Sequence, residues 1–159
     1  MRWFIGLAAL AMSSAVGASA LADRAVEGGV TAQEMAKVLQ DKGYPAEITT
    51  DDQGDLKIKS VLSGTHFTVF FYGCNHGPRC SSFTFQSGFH IDGGMALARI
   101  NSWNKDKRFL KGWLDDVNDP YVEMDVDAQH GLDTDALTGD IDRWVSDLPG
   151  FISYINSAS

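Results

Sequence analysis

The hydrophobic positions of the chain begin as an unbroken run, Trp3 to Met12, preceded by Arg2 and followed by small residues with Ala-x-Ala sites at 18–20 and 20–22. A charged start, an apolar stretch too short for a ~30 Å hydrocarbon core and a small-residue cleavage site together predict a secretory signal peptide over residues 1–22. No cysteine lies near the cleavage point, so lipoprotein processing has no residue to modify. A short glycine-ending tail, 23–29, then leads into a single domain over 30–159.

Within that domain the pattern alternates between helical and strand periods. Thr31-Ala32-Gln33-Glu34 reads as a capping box, with Val30 and Met35 at the staple positions and Met35, Val38 and Leu39 as a narrow apolar stripe. Lys42 suits the negative helix end and Gly43 the left-handed residue that follows it. From Ala46 to Phe89 the period becomes two, broken at Asp51-Asp52-Gln53-Gly54, at Ser63-Gly64 and between Gly73 and Pro78. Four strands follow from this, about 46–50, 55–61, 65–72 and 81–89, in an antiparallel meander. Phe67, Val69 and Phe71 share one face, as do Phe83, Phe85 and Phe89, which predicts a sheet buried on one side.

Asp92-Gly93-Gly94 reads as a cap region for a second helix, about 95–105, with Leu97, Ile100 and Trp103 at helical spacing. A hairpin of strands 109–115 and 121–126 turns through Asp116 to Pro120, with Val122, Met124 and Val126 inward. A last helix starts at Thr134 and carries the stripe Leu137, Ile141, Trp144, Val145 and Leu148. Pro149-Gly150 is expected to interrupt it, because a proline ring clashes with the preceding turn. The predicted fold class is α+β, an antiparallel sheet flanked by helices in the order α-β-β-β-β-α-β-β-α.

Composition narrows the function classes. The formal net charge is −8, and removal of Arg2 with the leader lowers it by one to −9. A field of that sign repels phosphate backbones and anionic lipid, so nucleic acid is not an expected partner, and no other segment is apolar enough to insert in a membrane after signal cleavage. The expected localisation is periplasmic or secreted. In an oxidising compartment Cys74 and Cys80, which bracket a turn-rich loop, are expected to form a structural disulfide. Their spacing is not the Cys-x-x-Cys of redox enzymes. A zinc set of Cys74, His76, Cys80 and His90 or His66 fits no standard ligand spacing.

Asp115, Asp116, Asn118 and Asp119 offer oxygen ligands, but Pro120 and the lack of a glutamate at the twelfth position argue against a calcium loop. No nucleophile or phosphate-loop motif accompanies the four histidines, so no catalytic, cofactor or metal residues are assigned.

Phe71-Tyr72-Gly73-Cys74, Cys80, Gly88-Phe89, Asn101-x-Trp103-Asn104, Lys107-Arg108-Phe109, Asp115-Asp116, Asp119-Pro120 and Glu123-Met124-Asp125 together resemble the YbjN-domain family, in its exported two-cysteine form. The resemblance spans nearly the whole mature chain. It implies a fold similar to type III secretion chaperones and a role in sensory transduction regulation, with no established catalytic residues. It also makes a homodimer plausible by analogy. Asn101, Trp103, Asn104, Arg108, Phe109, Asp115, Asp119 and Glu123 are then the family-motif residues and the candidate partner surface. Among them Trp103 continues an apolar stripe and belongs to the core. The region around the helix end and the 109–126 hairpin is where a groove or edge for an extended peptide is expected. The leading function is a non-enzymatic regulatory, adaptor or chaperone-like module for an unknown protein or peptide partner. An envelope enzyme, redox-linked through Cys74 and Cys80, and a structural envelope protein are the alternatives.

Overall fold

In the computed structural model, residues 28–74 and 77–157 are described. The signal-peptide reading of 1–22 lies outside them, as does most of the 23–29 tail and His76 of the zinc set. The element order is β1 (Val30–Thr31), α1 (Ala32–Asp41), β2 (Glu47–Thr50), β3 (Leu56–Leu62), β4 (Thr65–Tyr72), β5 (Arg79–Cys80), β6 (Ser82–Gly88), α2 (Leu97–Asp106), β7 (Lys111–Leu114), β8 (Pro120–Asp127) and α3 (Thr134–Asn156). Six strands form one antiparallel sheet in the order β2-β3-β4-β6-β8-β7. The predicted meander is therefore present, and the second hairpin joins it through β8. The two-residue strands β1 and β5 pair separately, Val30 with Cys80 and Thr31 with Arg79.

The register follows from the alternation. Ile58 opposes Val69, Val69 opposes Phe85 and Phe85 opposes Met124, so one row of apolar side chains crosses four strands on the same face. All three helices pack there. Met35 and Leu39 of α1, Ile100 and Trp103 of α2, and Ile141, Trp144, Leu148 and Phe151 of α3 are buried with that face. Trp144 stacks on Phe85 at 5.5 Å and packs tilted on Phe67 at 5.8 Å. This aromatic cluster joins the longest helix to the centre of the sheet, and rings of this size dominate core energetics.

The helix starts follow local chemistry at two of three places. At α1 the Thr31 hydroxyl accepts from the Glu34 N–H while the Glu34 carboxylate accepts from the Thr31 N–H, completing the predicted capping box. At α3 Asp133 accepts from the Ala136 N–H. Asp92-Gly93-Gly94, by contrast, is no cap. Both glycines adopt positive φ in a turn that the Gly94 N–H closes onto the Ile91 carbonyl, and α2 starts at Leu97 after Ala96, without a side-chain cap. Leu97 is accordingly 64% exposed rather than part of the buried stripe. Met95, tied by its N–H to the Asn118 carbonyl, fills the inward position instead.

The expected break at Pro149-Gly150 does not occur: α3 runs unbroken from Thr134 to Asn156. Leu148, Phe151 and Ile155 are buried along one face, so continuing the helix buries apolar surface that a break at Pro149 would release. Pro149 itself is exposed, so its ring points to solvent. It still lacks the N–H that would bond one turn back. Pro149→Ala should therefore raise stability by roughly 1–3 kcal/mol, read as a higher urea midpoint at unchanged slope.

Candidate functional site

A sheet with one covered face leaves three surfaces for a partner: the bare face and the two edges. The edges differ. At β7 the bond from the Asp115 N–H to the Asp119 carbonyl sets the alternation, so Gly112 turns its N–H and C=O away from β8. Both groups are already taken. The Asn104 side chain accepts from the Gly112 N–H at 2.8 Å and donates to the Gly112 carbonyl at 2.9 Å, as a neighbouring strand would. Just before the strand the Trp103 indole N–H donates to the Leu110 carbonyl. Closing an edge in this way is a known defence against unwanted pairing.

Room for this contact depends on Gly112, where an added Cβ would lie 3.2 Å from the Trp103 ring and 3.3 Å from Ile100. Trp103 is 3% exposed, which agrees with its assignment to the core. At the helix end and 109–126 hairpin, where a groove or edge for an extended peptide is expected, Trp103 and Asn104 thus occupy the edge from Leu110 to Gly112, and a groove lined by Trp103, Arg108 and Phe109 lies beside it.

The opposite edge is open. At β2 the Asp51 N–H donates to the Asp55 carbonyl, so Thr49 and Glu47 bond to β3 while Ile48 and Thr50 turn their backbone groups outward. Among the described residues no strand pairs on that side. Ile48 is 38% exposed and Thr50 is exposed. The Ala46 carbonyl just before the strand accepts from the Gln40 side chain. Sequence reasoning missed β2 as a candidate. Its shortness and mixed composition were visible, but its position at the end of the sheet was not.

The other motif residues divide by role. Asn101 is exposed on α2, and Phe109 is 45% exposed with the Arg143 guanidinium 3.9 Å and the Arg108 guanidinium 5.4 Å from its ring centroid. Phe109 stands between a groove of about 220 Å³ and one of about 420 Å³ along α3. Asp115 accepts from the Val117 and Asp119 N–H groups within the β7–β8 turn. Asp119 accepts from the Ile91 N–H and lies 2.8 Å from His90 Nδ1, linking this turn to the loop after β6. These contacts hold the Asp119 carboxyl below the usual range, the Ile91 N–H most of all, and raise His90 through its hydrogen bond and attraction to Asp119. The carboxylates of this cluster thus serve turn geometry. Glu123 accepts from the Trp113 indole at 2.8 Å and pairs with Lys111 at 2.6 Å on the bare face.

Cys74 and Cys80 form the expected disulfide. Cys80 is fully buried and Cys74 half-buried. The adjacent Arg79 donates to the Gly28 and Gly29 carbonyls and pairs with Glu34 at 3.0 Å, tying the disulfide loop to the start of α1. Burial opposes ionisation of Glu34. The Thr31 N–H and Arg79 outweigh it, so the carboxyl sits below its ordinary value.

These features define an α+β protein with a one-sided antiparallel sheet, one edge closed by side chains and the other free. The chain belongs to the YbjN family, whose model, described as "Putative bacterial sensory transduction regulator", matches residues 31–156. Among solved structures it is similar to the Yersinia pestis type III secretion chaperone SycH, crystallised with a stable fragment of YscM2. The identity is 9% and the TM-score 0.48, over 75% of this chain and 97% of that one. A search of curated proteins finds no match. No helix among the described residues is long and apolar enough to cross a membrane.

If Asn104 closes the β7 edge, Asn104→Ala leaves both Gly112 backbone groups without their partner. The expected result is a loss of about 1–3 kcal/mol in urea unfolding, with increased self-association on warming.

Proposed function

We propose that the protein is an exported, non-catalytic regulatory or adaptor module that binds an extended segment of a protein partner along the free edge of β2. The observation that carries this reading is the asymmetry of the two edges. At the β7 edge the outward groups of Gly112 are satisfied by Asn104, and the Leu110 carbonyl before the strand by Trp103, whereas those of Ile48 and Thr50 face outward without a pairing strand among the described residues. An extended segment can satisfy them by adding a strand, with main-chain hydrogen bonds supplying affinity and the exposed Ile48 side chain supplying selectivity. Family membership in a group described as sensory regulators fits a binding role. The Cys74–Cys80 disulfide fits the periplasmic or secreted setting that the leader implies.

A redox enzyme is disfavoured by the burial of Cys80, since exchange needs an accessible sulfur. The net charge of −8 disfavours nucleic acid. The partners in this reading include a second copy of the chain.

A photo-crosslinking amino acid at Ile48, in cells that make the protein, should give a discrete adduct with one partner protein, and the same probe at Lys111 should give none. Adding Thr50→Pro, which removes an outward N–H without touching the β2–β3 ladder, should abolish the adduct. Equal adducts from both edges, or none from β2, would contradict strand addition at β2.

A further inference from the structure

We propose that the two grooves flanking Phe109 form one docking surface for a short, acidic, amphipathic helix of a protein partner, laid along α3. This surface does not use the β2 edge and goes beyond the strand addition proposed above.

Phe109 is the ridge of the surface, its exposed ring gripped by the Arg143 and Arg108 guanidinium groups. The smaller groove lies between the end of α2 and α3, bounded by Trp103, Lys107, Arg108 and Gly150. The larger continues along α3 past Ser146 and Arg143 to Gly139. An apolar side chain on either side of the Phe109 ring would therefore enter a preformed depression.

Charge selects the occupant. The chain carries a net charge of −8, yet Lys107, Arg108 and Arg143 converge on these grooves. Among the described residues none of the three makes an ion pair. Their partners are aromatic faces, Trp103 for Lys107 and Phe109 for both arginines. Of the nearby carboxylates, Asp142 is tied to Lys42, which leaves Asp147 on the groove walls and half-buried Asp140 within reach of the Arg143 charge. The surface is thus locally cationic on an acidic protein, and it matches a partner segment that carries carboxylates around apolar anchors.

Two glycines favour a helix as that segment. Gly139 and Gly150 lie on the same side of α3 as Arg143 and Ser146 by the 3.6-residue period. Each weakens the helix relative to alanine. A Cβ at either position would touch nothing from the rest of the chain within 4 Å, so no internal contact requires glycine there. The missing side chains let a second backbone come close over about 16 Å of α3, the length of a helix of about twelve residues. Apolar anchors of that helix fill the grooves, and its carboxylates meet Lys107, Arg108 and Arg143.

The probe is a synthetic helical peptide of about twelve residues, rich in glutamate with leucines at i, i+3 and i+7, titrated into the disulfide-bonded protein. The expected result is saturable binding that shifts the amide NMR signals of 103–110 and 139–150 and weakens about tenfold between ~50 mM and ~500 mM salt. A peptide with lysine in place of glutamate should not bind. Phe109→Ala should weaken binding about tenfold or more. Gly139→Ala should raise the urea midpoint of the free protein and yet weaken binding, a combination that a purely structural glycine would not show. Thr50→Pro should leave binding unchanged. No binding by the wild-type protein, equal binding of the lysine peptide, or affinity indifferent to Phe109→Ala would overturn the proposal. If Phe109→Ala is unfolded by circular dichroism, the wild-type signal map and the lysine peptide still decide. Binding lost in Thr50→Pro would place the peptide on β2, overturning this site while strand addition stands. Phosphatidylglycerol vesicles that bind where the peptide does not would assign the cations to lipid and overturn it too.

Discussion

Three helices cannot cover a six-stranded sheet on both faces, and in this protein all of them lie on one. That choice is made by the apolar row through Ile58, Val69, Phe85 and Met124, onto which Trp144 brings the longest helix. Everything else is a consequence of managing what remains uncovered. One edge is held by side chains at Gly112, one is left open, and on the bare face Lys111 pairs with Glu123 and Asp125.

The closed edge shows how a short motif can serve fold and function together. Asn104 imitates a strand with a single carboxamide, and Trp103 supplies both core volume and a hydrogen bond to Leu110. Because these groups occupy β7 at Gly112, the strand addition we propose falls to β2. Next to the disulfide, Arg79 pairs with Glu34 and braces the start of α1.

Much of the fold was legible in the order of residues because it rests on local periods. The alternation in β4 and β6, the capping box at Thr31 and Glu34, and the pairing of Cys74 with Cys80 all follow from near neighbours. Pro149 was misread for the opposite reason. Its local preference is to end a helix, and burial of Phe151 and Ile155 against the core overrides it. The two-residue pairing of β1 with β5 carries no periodic signal. The candidate site was less legible. Asn104 and Trp103 could be singled out as a motif, but their task depends on the register of β7, and an edge is a property of strand order.

The two edges of the sheet differ in the state of their outward backbone groups, satisfied at Gly112 on β7 and facing solvent at Ile48 and Thr50 on β2. Residue-resolved amide hydrogen exchange on the native protein measures this directly. Strong protection is expected for the Gly112 amide, held by Asn104, and exchange near the unprotected rate at Ile48 and Thr50 in dilute protein without a bound partner. Protection at Ile48 and Thr50 equal to that of Gly112, or rapid exchange at Gly112, would contradict it.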